Sequence, residues 1–421
     1  MKRRHKILNS VFCIAGVTGL LAGCGNSSSG GGGSNKTVTL TILWNAGQNQ
    51  AIKDAAASFQ KTHPNVKFDF QFVSNAQQKF QVETAGGDSP DIVHLDSVYT
   101  IPYGKGGQFL NLAQFGAKTL SSKFIPITWK TVQTGNEIYG LPFDANTVTF
   151  MYNKKLFKQA GLSGPPKTYN ELVSDAQKIK QVTGKWGYEV PNSPQQSGWM
   201  QYLFLTWLWR DGGQVLNASN TKAIYNDAAG VDALTKILNL AKVGAVPKNL
   251  YDEGGFFDGK YGMIDDGSWQ LVNWEKNTGG EKNFVAFAPM PALKPGEKDV
   301  YDLGLYNISI PKASKNPKQA YEFIKYLTTS EKYQLQYEEQ AALMPSLKAG
   351  LNNPFYQKAP WPIFVNALKH SQTRPTVAAW PQIATDMGNA LQSAIAGTKT
   401  PQQALNEAVS EDNQALASQA Q

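Results

Sequence analysis

The chain has 421 residues, 41% hydrophobic and 17% charged, a composition that suits a globular protein with a large buried core. That length is too great for one small core, so two lobes are the expectation. The formal charge of +8 is mild, four of the positive charges are Lys2, Arg3, Arg4 and Lys6, and no later basic run with interleaved aromatics argues for a nucleic-acid partner.

The basic start leads into an apolar run from Ile7 to Gly23, which reads as a secretory signal over residues 1–23. The run is too short and weak for a transmembrane span, and no later segment approaches ~18 consecutive apolar residues. Leu21-Ala22-Gly23-Cys24 resembles the bacterial lipobox, which implies cleavage before Cys24 and acylation of its thiol. Residues 24–36 then form the lipidated cysteine and a Gly/Ser tether, with a reach of roughly 15–20 Å. The chain contains two cysteines, Cys13 and Cys24. The first leaves with the signal and the second carries lipid, so the mature fold is expected to rest on its core without a disulfide.

Val38 to Trp44 reads as a buried strand. Ile52, Ala55, Ala56 and Phe59 share one face of a helix over Gln50 to His63, ended by Pro64. Val66 to Phe72 alternates Val66, Phe68, Phe70 and Phe72 with polar residues, the pattern of a half-buried strand. A helix near Gln77 to Ala85 and a strand over Asp91 to Leu95 complete a strand–helix rhythm typical of α/β layers. Thr147 to Tyr152 is a further strand. Thr168 and Glu171 form a capping box before a helix carrying Leu172, Val173, Ala176 and Ile179. Trp199 to Arg210 is apolar all round and should be a buried helix, broken by Gly212-Gly213. A helix over Asn226 to Val243, short strands at Tyr261–Ile264, Val285–Phe287 and Tyr306–Ile310, and a helix over Lys318 to Thr328 follow. The chain ends in helices over Pro381 to Ala396 and after Thr400-Pro401.

Catalytic constellations are poorly represented. His63, His94 and His370 lack metal-like spacing, and the first two read as structural. There is no GxSxG motif and no Walker loop. The paired carboxylates Asp252-Glu253 and Asp265-Asp266 raise a glycosidase reading, which needs two carboxyl groups about 5–9.5 Å apart across a sugar. Adjacent strand residues point to opposite faces, so Asp265-Asp266 is a poor pair. No enzyme activity, cofactor or metal is therefore expected. A sugar site, by contrast, needs aromatic rings against the apolar C–H face and planar polar groups around the hydroxyls. Trp44-Asn45, Asp96-Ser97, Asp144, Trp269 and Arg374 lie where elements meet loops, the usual ligand position in open α/β sheets.

An ordered set of segments also resembles one family, the extracellular solute-binding proteins of ABC importers, family 1. The matching segments are Phe59–Lys67, Gly87–Val93, Tyr139–Pro142, Met151–Phe157, Pro166–Leu172, Gly262–Trp269, Thr373–Pro375 and Pro401–Leu405. The resemblance runs from Leu40 to Ala408 and implies an α/β, two-lobed periplasmic-binding-protein-like fold (type II) with a multi-crossover hinge. Lobe 1 is expected at 37–144 plus 288–341 and lobe 2 at 145–287 plus 342–421. By similarity, Trp44, Asp96, Asp144, Trp199, Trp269, Tyr306 and Arg374 match or neighbour cleft positions, with Glu83 an outside candidate. Trp199 reads equally as an anchor of its helix, and Tyr306 as core beside Gly304. The function implied is capture of a carbohydrate by hinge closure, as a monomer held to the membrane by lipid on Cys24, and delivery to ABC permease subunits. The same fold binding a glycerol phosphate, polyamine or peptide stays open, as does a sugar sensor without a permease.

Overall fold

The computed structural model describes residues 37–47, 49–193, 197–244, 254–272, 284–297 and 299–418. The signal, Cys24, the tether and Asp252-Glu253 lie outside them. The fold is a two-lobed α/β arrangement on a mixed sheet in the order β2-β1-β3-β10-β6-β8-β7. β1 (Val38–Asn45) pairs in parallel with β2 (Val66–Val73) and β3 (Ile92–Asp96). Leu40, Ile42, Leu43 and Trp44 of β1 are fully buried, because helices cover both faces of a central parallel strand. β2 is the edge strand, and its alternation stacks Phe68, Phe70 and Phe72 along one face with centroid spacings of 5.9 and 5.5 Å.

Two long strands run between the lobes. β6 (Leu141–Asn153) lies antiparallel to β10 (Tyr301–Ser309) over its first half. Its second half pairs with β8 (Tyr261–Gly267) and β9 (Val285–Ala288), while β7 (Trp186–Tyr188) borders β8. The two-residue strands β11 (Met344–Pro345) and β12 (Ser371–Gln372) add to β6 and β10; β4 (Gln133–Thr134) and β5 (Glu137–Ile138) form a separate hairpin. One core gathers Leu40, Ile42, Ile52, Phe59, Phe143, Ile308 and Ile324. Another gathers Phe150, Ile179, Leu205, Trp207, Met263, Ile383, Leu391 and Leu405.

β6 starts six residues before the expected Thr147, and β10 five before the expected Tyr306. Pro142, Asp144, Asn146, Asp302 and Gly304 weaken the strand pattern in each stretch, yet the stretches pair with each other and supply the missing ladder. The helix Ser197–Arg210 is buried along Met200, Leu203, Phe204, Leu205, Trp207 and Leu208, as its all-round apolarity requires. Thr168 Oγ1 accepts from the Glu171 amide, but the Glu171 carboxylate accepts from Lys167 N, one residue earlier than a capping box predicts. At Thr400 the box is reciprocal: Gln403 N donates to Thr400 Oγ1, and Thr400 N to Gln403 Oε1. The helices Glu331–Ala341 and Trp361–Lys369 have no counterpart in the sequence reading.

Candidate functional site

The register of three adjacent strands builds the floor of a cavity. Tyr306 of β10 faces Asp96 at the end of β3 on one side and Asp144 of β6 on the other. Residues directly opposite share a face, so one row carries carboxylate, phenol, carboxylate. His94, two residues before Asp96, projects from the same face. Its ring is stacked between Trp44 at 3.9 Å and 4° and Tyr306 at 4.9 Å and 22°. His94 Nε2 lies 3.2 Å from Asp144 Oδ2. Burial holds the imidazole below its ordinary range and pushes the Asp144 carboxyl up, while their mutual hydrogen bond opposes both effects. A neutral imidazole donating from Nε2 satisfies Asp144 Oδ2. Asp144 Oδ1 keeps no hydrogen-bond partner among the described residues, although Asp144 is fully buried from bulk water and lines the cavity.

Another part of the lining is aromatic. The helix Ser197–Arg210 brings Trp199 and Tyr202, one turn apart, to the cavity, and Trp269 follows β8. Trp199 and Trp269 meet edge to face at 5.9 Å and 89°. Gly267 makes the Trp269 position possible: a Cβ there would stand 1.9 Å from the indole. Asp266, also on this wall, accepts from Gly267 N at 2.7 Å and Gln270 Nε2 at 2.7 Å. Asp265 points the other way, its Oδ2 accepting from the buried Trp207 indole at 3.2 Å. On the floor, Gly304 leaves room for the Asn146 carboxamide, whose Oδ1 lies 1.8 Å from where a Cβ would be. The cavity measures about 800 Å³, within the usual range of ligand sites.

Arg374 is buried just behind this wall. Its Nη2 donates to Asp96 Oδ1 at 2.9 Å, and its Nη1 to Asp96 Oδ2 at 3.1 Å and to the Tyr202 hydroxyl at 2.9 Å. Nε stands 3.7 Å from Asp302 Oδ1. Burial works against the guanidinium charge, but Asp96, Tyr202 and Asp302 outweigh it and raise the pKa. Asp302 itself is pushed up to about 7 by burial, with Arg374 opposing and Asp96 adding.

Of the residues singled out from sequence, Asn45, Asp96, Asp144, Trp199, Trp269 and Tyr306 line the cavity. Trp44 is fully buried beneath His94, Ser97 is buried beside Asp96, and Arg374 braces Asp96 from behind. Glu83 lies away from the cavity, paired with Lys79. Asn146, Glu189, Tyr202, Asp266, Gln270 and Tyr337 also line the cavity and were not anticipated as ligand-facing. Two carried a usable signal: Asn146 follows Asp144 by the strand period of two, and Tyr202 follows Trp199 by one helical turn.

The profile of the bacterial extracellular solute-binding proteins matches residues 44–334. The chain belongs to that family. The diacetylchitobiose binding protein of Streptomyces coelicolor is 23% identical to this solute-binding protein over 436 residues, covering 100% of each. The galactooligosaccharide-binding protein of Bacillus subtilis is 25% identical over 425 residues, covering 95% of each. Among solved structures, an ABC transporter solute-binding protein from Thermotoga lettingae, bound with alpha-D-tagatose, superimposes with a TM-score of 0.79 at 23% identity. It covers 90% of this chain and 99% of its own. The cyclic alpha-maltosyl-1,6-maltose binding protein of Arthrobacter globiformis gives 0.77 at 24% identity, with 90% and 99% covered. These likenesses establish the two-lobed α/β fold.

Proposed function

We propose that this solute-binding protein captures a neutral oligosaccharide in its cleft and delivers it to the membrane subunits of an ABC importer. The observation that carries the reading is a shared lining: the indole and phenol rings of Trp199, Tyr202 and Trp269 line the same cavity as a row of acceptors that includes Asp96, Asp144 and Asn146. Rings suit the C–H face of a pyranose, and planar acceptors suit its hydroxyls. Asp144 Oδ1, without a partner among the described residues, needs a donor such as a sugar hydroxyl. The sugar ligands in the names of the relatives point the same way. A phosphorylated or acidic ligand is disfavoured, because the Arg374 guanidinium is already engaged by Asp96, Tyr202 and Asp302.

Binding works by hinge closure, with lobe 1 at 37–144 plus 288–341 and lobe 2 at 145–287 plus 342–421. Lipid on Cys24 and the tether of residues 24–36 hold the monomer near its permease and raise its local concentration there. The protein performs no chemistry on its ligand. Titration calorimetry against mono- and oligosaccharides, with the sugar recovered and checked by chromatography, tests the reading. Saturable binding at micromolar concentration or below with intact sugar is the expected result; silence across the panel, or cleaved sugar, refutes it. Mass spectrometry of the membrane-extracted protein tests the acyl chains on Cys24.

A further inference from the structure

A second, smaller cavity of about 250 Å³ opens between the helix Glu331–Ala341 and residues 345–353. Glu331, Gln334, Leu335 and Glu338 recur at helical spacing and present one face to it. The opposing wall comes from Pro345, Leu347, Gly350, Asn352 and Asn353. Gly350 lets this loop close on β11, since a Cβ there would come 2.5 Å from Pro345 Cβ. Pro345 is also opposite Asp144 in register, so β11 separates this pit from the cleft.

The deep end of the pit holds two side chains that are almost wholly buried, Gln334 at 2% exposure and Glu338 at 1%. Gln334 Nε2 donates to Thr328 O at 2.8 Å and Ser346 Oγ at 3.2 Å, which fixes the amide and leaves Oε1 over. Glu338 Oε2 accepts from the Tyr356 hydroxyl at 2.9 Å, which leaves Oε1 of that carboxyl over. Neither Oε1 has a hydrogen-bond partner among the described residues. Buried acceptors left this way are costly and call for a donor or a positive charge. Neighbouring lysines do not supply one: Lys332 Nζ sits 5.0 Å over the Tyr333 ring, and Lys348 Nζ donates to Ser122 O at 2.9 Å. The mouth adds the carboxylate of the exposed Glu331 and the carboxamide oxygen of the exposed Asn352.

We propose that this pit is a cation site separate from the sugar cleft, with Gln334 Oε1 and Glu338 Oε1 as the inner ligands and water with Glu331 completing the shell. An all-oxygen set of mixed carboxylate and amide, without the three-carboxylate or histidine cluster of a tight transition-metal site, selects a hard ion. Calcium fits best, because it accepts irregular coordination, whereas magnesium demands a near-ideal octahedron.

The test is calorimetric titration of the chelator-stripped full chain, in mild detergent, with calcium chloride and separately with magnesium chloride. Terbium luminescence sensitised by Tyr356 gives an independent readout. Saturable calcium binding with Kd on the order of 10⁻⁴–10⁻³ M, the range of extracellular calcium modules, is expected. Glu338→Gln keeps the shape and an acceptor for Tyr356, and should weaken calcium at least ~10-fold and quench the terbium signal: burial raises the Glu338 pKa, so calcium binds by displacing its proton, and a glutamine cannot become the charged ligand. Glu331→Gln, at the exposed mouth, cannot unfold the chain and should weaken binding by a smaller factor. Absence of saturable calcium heat overturns the proposal, as does binding that both variants leave unchanged; a pit holding water alone gives that result.

Discussion

Gly304→Ala tests whether the cleft floor depends on one carboxamide. The new Cβ would meet Asn146 Oδ1 at 1.8 Å, Cγ at 2.6 Å and Nδ2 at 2.9 Å, all inside contact distance. All three of these nearest atoms belong to one half-buried side chain with rotatable bonds, and none of them is backbone. The carboxamide therefore swings off the floor while the strands keep their register. A neutral hydrogen bond contributes about 0.5–1.5 kcal/mol, and a carboxamide can offer a sugar two. The loss is about 1–3 kcal/mol, or roughly 5- to 150-fold in Kd. Asn146→Ala should cost the same affinity by deleting the group outright. The double variant should bind no worse than Asn146→Ala alone, since the alanine at 304 then has nothing to displace. Calorimetry on the four proteins, with melting temperatures alongside, closes the cycle. Additive losses, or a melting temperature lowered by Gly304→Ala in the Asn146→Ala background, would refute the reasoning and place the damage in β10 itself.

Three further outcomes follow from the same geometry. Trp269→Ala removes the ring seated over Gly267 and should weaken sugar binding at least ~10-fold by loss of apolar contact, with a smaller fluorescence change on titration. Arg374→Ala leaves the Asp96 carboxylate without its bidentate partner and should destabilise the protein by about 3–5 kcal/mol in urea unfolding. A fall below about 1 kcal/mol, the range of surface pairs, would show the clasp to be solvated. Asp412 is fully buried, accepts from the Tyr225 hydroxyl at 2.6 Å, and is pushed up to about 8 by burial, with Tyr225 opposing and Asp386 adding. The folded chain thus holds a proton that the unfolded chain releases above about pH 4. Stability should fall as pH rises from about 4 to about 8 and level off above. Asp412→Asn supplies a permanent N–H donor toward Asp386 and should flatten that slope in a melting-temperature series.

Much of the fold was legible because periodicity and burial agreed. The apolar run of Val38 to Trp44, the alternation of Val66 to Phe72 and the all-apolar Trp199 to Arg210 each announced its environment. The helix Glu331–Ala341 did not, because its buried face is Tyr333, Gln334, Tyr337 and Glu338, and polar side chains there erase the apolar stripe. The site was half legible for a related reason. Side chains at strand ends, such as Asp96 and Asn45, stood out by position. Tyr306 and Asp144 converge only through cross-strand register, which a sequence without its pairing partners does not display. Trp44 differs again: an indole beside an asparagine at a strand end looks ligand-facing from the sequence, and in the fold its ring is buried and stacked on His94.

The side-by-side run of β6 and β10 has a mechanical meaning. Because the strands stay paired from Leu141 to Thr147, with one break in register at Tyr306/Asn307, the lobes are joined by a ribbon and not by a free swivel. A ribbon of this kind resists stretching and sliding far more than it resists torsion. In the proposed hinge motion, opening the cleft would twist this ladder. The row of Asp96, Tyr306 and Asp144 is held in register by this ladder and by the pairing of β10 with β3. Under the proposed hinge closure, a sugar would dock first on this polar track and be capped by the rings of Trp199 and Trp269.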